Sequence, residues 1–211
     1  MDKPPQTSQG QGWKPTKVAQ HRYDVQDLIL ELVPQSWRRL LWSKVEGGRV
    51  LEVGVGTGMN MAYYPPEAAV VAVDPDPSFL TWAANRARKN GKVTGLGVMD
   101  VRRLAFADDS FDYAATSFVF CSVPDPVAGL TEVRRVLKPG GRFILLEHVR
   151  LGNRLLGRLM DFLNPPWLRL SGDNMNRDTV ANVQRAGFQV LAVDNLLGGL
   201  VKVIEARKGG Q

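Results

Sequence analysis

Cysteine is almost absent, with Cys121 the only one in 211 residues. That excludes an intramolecular disulfide scaffold and a zinc site built from this chain's cysteines, and it fits a reducing compartment. Histidine is nearly as scarce. His21 and His148 are the two candidates for a side chain that titrates near neutral pH. No long hydrophobic run is present: the longest, Phe111 to Val123, contains Asp112 and falls far short of the ~20 residues a spanning helix needs. The first residues, MDKPPQTSQGQGWKPTK, have no apolar stretch, so they are not read as a secretory signal. What is there is globular in composition, 44% apolar and 23% charged, with a net charge of +6 that favours anionic partners. The expectation is a single cytoplasmic domain.

Residues 1–17, rich in Pro, Gln, Gly, Lys and Thr, read as a flexible tail. From Arg49 onward, apolar runs alternate with helical patterns. Strands are expected at 49–53, 69–73, 93–98, 111–118, 142–148, 188–193 and 200–206. Val and Ile on both faces of the first five predict a doubly covered, mostly parallel sheet. Asp76 and Pro77 open one helix and Gly91 closes it, while Leu130, Val133, Val136 and Leu137 mark another that stops before Pro139. Asn176 is the expected cap of a third, ended by Gly187. The last two strands are too close for a helix and predict an antiparallel hairpin. Five βα steps and this hairpin give an α/β, Rossmann-like, doubly wound seven-stranded sheet, whose ligands sit at the carboxyl ends of the strands.

The first strand runs into Glu52-Val-Gly54-Val-Gly56-Thr57-Gly58, and the second ends at Asp74-Pro75. Glycines there permit a sharp turn and a close ligand approach. The third glycine comes one residue early for a dinucleotide fingerprint, and Met59-Asn60 stands where a P-loop needs Lys and Ser/Thr. Both phosphate readings are weakened. A carboxylate at the end of the second strand can accept the hydroxyls of a ribose; the plain alternative is a tight turn followed by a helix-capping Asp.

These residues resemble the class I S-adenosylmethionine (SAM) methyltransferases. The likeness continues in Asp100-Val101, in the acidic turn Asp108-Asp109-Ser110-Phe111-Asp112, and in Val136 to Gly141. It implies SAM as cofactor and a domain over 18–211. Glu52 and the Gly54–Gly58 loop, Thr57 included, would hold the methionine part. Asp74 with Pro75 would hold the ribose, Asp100 with Val101 the adenine, and Ser117 would close the cofactor side. Ser117 to Val123, Leu146-Glu147-His148-Val149, and Leu163 to Trp167 with Asn174 and Arg177 are similar to a smaller group. That group includes thiol methyltransferases of animal microsomes, bacterial quinone methyltransferases and a bacterial phospholipid methyltransferase. Phe118, Cys121, Asn174 and Arg177 become the candidates for binding the acceptor. A small lipophilic thiol, amine headgroup or quinol is expected, and a SAM-binding partner subunit without catalysis is the alternative.

His148 closes the fifth strand, where it is either a proton acceptor beside the substrate or a buried histidine bonded to a neighbouring loop. His21 and Tyr23, the other catalytic candidates, precede the sheet in a segment that the resemblance implies caps the cofactor; Tyr23 either closes over the methionine end or is a core aromatic. Cys121 is read as a small buried hydrophobe, because SAM donates its methyl directly. The tetrapeptide Asn164-Pro-Pro-Trp167 lies after the fifth strand rather than the fourth, so it reads as a Pro-terminated helix end and not as a base-methylation motif. Residues 150–170 place Arg150, Arg154 and Arg158 every four positions among leucines. That pattern predicts either an interfacial helix at anionic lipid, hence a peripheral membrane contact, or a lid over the pocket. No metal ligand set is seen, and nothing points to nucleic acid.

Overall fold

The computed structural model describes residues 33–210. The elements are α1 (Gln35–Trp42), β1 (Gly48–Val53), a 3-10 turn (Met59–Tyr63), β2 (Ala68–Asp74), α2 (Pro77–Asn90) and β3 (Val93–Val98). There follow β4 (Phe111–Ser117), α3 (Pro126–Val136), β5 (Leu137–His148), α4 (Arg154–Ser171), α5 (Thr179–Arg185), β6 (Phe188–Leu196) and β7 (Val201–Lys208). The seven strands lie in the order β3-β2-β1-β4-β5-β7-β6. All neighbours from β3 to β5 pair in parallel, and β7 runs antiparallel to both β5 and β6. The hairpin is present, but its second strand inserts beside β5. The antiparallel strand is therefore internal, and β6 forms the edge.

Alternation along the strands builds two cores. Leu51, Val53, Ala114, Phe143 and Leu145 join α3 and α5 on one face, whereas Val50, Ala115, Ile144 and Leu146 join α1 and α2 on the other. Each fully buried Leu, Ile, Val or Phe contributes ~1.5–3 kcal/mol, which is why both faces must be covered. Asp76 accepts the Ser78 N–H at 2.8 Å with Pro77 first in α2, and Gly91 ends that helix at φ +70°. The second core helix is opened the same way, with Asp125 accepting the Ala128 N–H at 3.0 Å.

Several expectations need correction. No helix joins β3 to β4. That stretch is pinned instead by Arg135 of α3, which donates to the carbonyls of Leu104 and Phe106 and to Asp108. Only a five-residue 3-10 turn separates β1 from β2, so the sheet has fewer βα steps than the five expected. The cap of α5 is Asp178, accepting the Ala181 N–H, because Asn176 is spent on Asp161. Pro165 and Pro166 do not end α4, which continues to Ser171 and stops at Gly172 in the left-handed region.

Candidate active site

The carboxyl ends of β1, β2, β4 and β5 share one edge, where the predicted site residues gather. Gly54, Gly56 and Gly58 all have positive φ, at +71°, +52° and +86°. The three differ in what surrounds them. A Cβ at Gly54 would collide with the Val119 side chain, and one at Gly58 would come 2.9 Å from the Met61 methyl. At Gly56 it would meet nothing within 4 Å, so the backbone is open to approach there. Asp74, 6% exposed, accepts the Gly56 N–H through Oδ2 and the Asp76 N–H through Oδ1, both at 2.9 Å. Burial raises its pKa. Each oxygen still has a lone pair for a further donor. The Thr57 carbonyl accepts from Arg86 of α2 at 2.6 Å, which ties the loop down.

Glu52 lies behind this loop, completely buried. Its Oε1 accepts from Asn60 Nδ2 at 2.7 Å and its Oε2 from the Tyr64 hydroxyl. Asn60 also donates to Ser117 Oγ at 3.0 Å and accepts from Arg38 of α1 at 2.7 Å. Burial lifts Glu52 to about 7. Asn60, Tyr64 and Arg38 were not legible as site residues, since nothing in their type or spacing separates them from ordinary core polar groups. Asp100 is half exposed and gripped by the Arg102 guanidinium, whose hydrogen bonds hold its carboxyl below the usual range. Val101 beside it is buried, and Pro75 leads from Asp74 towards α2.

Across the edge, Phe118 follows β4 with φ +56°, a strained conformation for an aromatic residue. It stacks on His148 at 6.4 Å between ring centres. Burial lowers His148 to about 4, so its ring is neutral at pH 7. Glu147 is fully buried, and its Oε1 accepts the N–H groups of Val119 and Phe120 at 2.9 and 3.1 Å. Burial lifts it to about 7. Burial also pushes the Cys121 thiol far up, leaving it protonated, which suits the small-hydrophobe reading. Asn174 donates its backbone and side-chain N–H groups to the Cys121 carbonyl, and Arg177 donates to that of Val123 at 2.9 Å. Asn164, from the tetrapeptide, braces Asn174 and the Met175 N–H. Asn174 and Arg177 thus clasp the loop after β4. His21 and Tyr23 lie outside the described residues.

The profile of the methyltransferase domain family matches residues 51–145. Thiol S-methyltransferase TMT1B of Homo sapiens is 32% identical over 202 residues, covering 86% of this chain and 80% of that protein. The chain belongs to the SAM-dependent methyltransferases. The alignment with the Rattus norvegicus TMT1B protein spans less, 62% of its length at 34% identity and 69% of this chain. Phosphatidylethanolamine N-methyltransferase of Cereibacter sphaeroides is 35% identical over 131 residues, covering 60% of this chain and 64% of that protein. Among solved structures, a putative methyltransferase from Bacillus halodurans superposes with a TM-score of 0.68 at 18% identity, over 82% of this chain and 98% of that one.

The edge of this methyltransferase fits its cofactor. The glycine loop leads into a 3-10 turn and not an α-helix, so it lacks the helix N-terminus on which a dinucleotide's pyrophosphate rests. What it offers instead is the approachable backbone at Gly56 and the carboxylate of Asp74. Among the described residues, no three His, Cys, Asp or Glu side chains group to hold a metal, and no helix is long and apolar enough to cross a membrane.

Proposed function

We propose that the protein transfers the methyl group of SAM to a small lipophilic acceptor carrying a thiol, an amine or a quinol. The observation that carries this reading is the uncharged acceptor edge: Phe118 stacked on a neutral His148, with a protonated Cys121 behind them. Methyl transfer from a sulfonium spreads and then removes a positive charge, so an apolar, largely buried edge favours it. The chain is similar to proteins named as a thiol S-methyltransferase, a phosphatidylethanolamine N-methyltransferase and a ubiquinone/menaquinone biosynthesis C-methyltransferase, which supports these three acceptor classes.

When bound, SAM supplies the electrophilic methyl and leaves as a thioether. In this reading Asp74 and Pro75 hold the ribose, and Gly54, Gly56, Thr57 and Gly58 shape the methionine side. Asp100 and Val101 border the adenine. Glu52 acts through Asn60 on Ser117 and keeps the loop in register. With the acceptor's nucleophilic atom held beside Phe118, the neutral His148 ring would be the group placed to take its proton and pass it on. Burial makes the charged ring unstable, so the proton does not stay. Phe118 contacts the acceptor, while Cys121, Asn174 and Arg177 fix the loop that carries it. The acceptor is met at a membrane surface from the aqueous side.

S-adenosylhomocysteine release, measured over long-chain thiols, quinols, phosphatidylethanolamine and their short polar counterparts, tests this. Turnover confined to the apolar members is expected. Turnover confined to the polar members overturns it.

A further inference from the structure

Among the described residues, one helix surface is left without a protein partner. The long helix α4 touches its own domain through Gly157, Met160 and Asn164, of which the first two are buried. With about 100° between successive residues, these fall on one stripe. Leu155, Leu156, Leu159, Phe162, Leu163 and Leu170 fall on a separate arc about 120° wide. They are all exposed, Leu155, Phe162 and Leu170 by 77%, 79% and 74%. Arg154 and Arg158 form a third stripe beside that arc. The helix therefore has three faces: one docked, one apolar and one basic.

An aqueous protein seldom leaves so large an apolar strip uncovered unless something binds it. Charge selects the occupant. Residues 150–177 carry five arginines and two aspartates within a chain of net charge +6, and a second copy would bring the same cationic stripe against itself. An anionic lipid surface instead takes the apolar arc at the acyl boundary and the guanidinium groups at the phosphates. Arg150 is not part of this device. It lies before the helix and is forked onto Asp161, with contacts of 2.8 to 3.2 Å, so it braces the start of α4.

We infer that α4 is the element that docks the protein on anionic bilayers, lying flat with Leu155, Leu159 and Phe162 inserted. This deepens the membrane part of the proposed function, yet it stands on α4 alone. The clasp of Asn174 and Arg177 on the loop after β4 puts the docked helix one loop away from Phe118, so a lipophilic acceptor has a short path to the site.

The test is co-sedimentation of the full chain with vesicles of phosphatidylcholine plus phosphatidylglycerol, and with phosphatidylcholine alone. The wild type should bind the mixed vesicles, more weakly as salt rises. Leu155→Gln with Phe162→Gln should lower binding about tenfold or more, with thermal unfolding and S-adenosylhomocysteine affinity unchanged. Arg154→Gln with Arg158→Gln should remove the preference for the anionic vesicles, whereas Arg150→Gln should not. Equal vesicle binding by wild type and the Leu155/Phe162 variant overturns the inference. So does a wild-type dimer, seen by sedimentation velocity, that this variant converts to a monomer. No acceptor enters the vesicle assay, and a long-chain acceptor dispersed in detergent needs no vesicle, so failure of docking and failure of methyl transfer are read separately.

Discussion

Glu52 and Glu147 occupy equivalent places, each the penultimate residue of its strand, each completely buried and each lifted by burial to about 7. Their partners differ. Glu52 is held by side chains, Asn60 and Tyr64, with Arg38 braced behind them. Glu147 is bonded to backbone, the N–H groups of Val119 and Phe120. The first arrangement fixes a glycine loop from behind and leaves its front for a ligand. The second bends the chain after β4, so that Phe118 takes its positive φ and faces His148. In the proposed function, one half of the edge takes the cofactor and the other the acceptor. The two halves touch where Gly54 meets Val119.

Breaking that contact should have the largest effect. Gly54→Ala adds left-handed strain of ~1–2 kcal/mol and an overpacking cost of ~1–3 kcal/mol, whereas Gly56→Ala adds the strain alone. Thermal unfolding should separate them, at ~2–4 °C per kcal/mol for a chain of this size. Val119→Ala should partly rescue the first variant and not the second. Equal losses at the two glycines would mean that the halves do not meet there.

The glutamates differ from each other in partners but not in linkage. Because the folded protein keeps each proton from the usual 4.5 up to about 7, stability should fall as pH rises through that window, by up to ~1.4 kcal/mol per pH unit and group. His148 opposes this. Its pKa drops from 6.5 to about 4, so its part of the stability grows as pH rises between those values. Urea titrations should show a falling limb that Glu52→Gln and Glu147→Gln each flatten. With both in place, the rising limb of His148 should stand out between about pH 4 and 6.5.

Within the cofactor half, Asp74→Ala should weaken S-adenosylhomocysteine binding by ~1–3 kcal/mol in calorimetry, as expected for a lost charged acceptor. The smallest effect is expected from Asn174→Ala, which frees the Cys121 carbonyl at a cost of ~1 kcal/mol. It should leave S-adenosylhomocysteine affinity alone while raising KM for the acceptor.

Much of the cofactor half was legible because its chemistry is local. Three glycines and a strand-end Asp, Asp74, speak through backbone conformation and position, which survive translation into sequence. The order of β7 and β6, the helix-free link to β4 and the cap at Asp178 were not legible. Each is decided by a distant competitor: β5 for the hairpin, Arg135 for the link, and Asp161 for the Asn176 side chain. The tandem prolines misled for a related reason. A helix docked along one stripe tolerates the two missing donors, where an isolated one would break. Asn60, Tyr64 and Glu147 were missed as site residues because only the fold brings them to the edge.

The division of the edge is tested most directly by two-substrate kinetics on Asp74→Ala and Phe118→Ala, with SAM and one long-chain acceptor varied in turn. The account predicts that the first variant raises KM for SAM by ~5–150-fold with the acceptor's KM unmoved, and that the second does the reverse. Both variants shifting the same KM would contradict it.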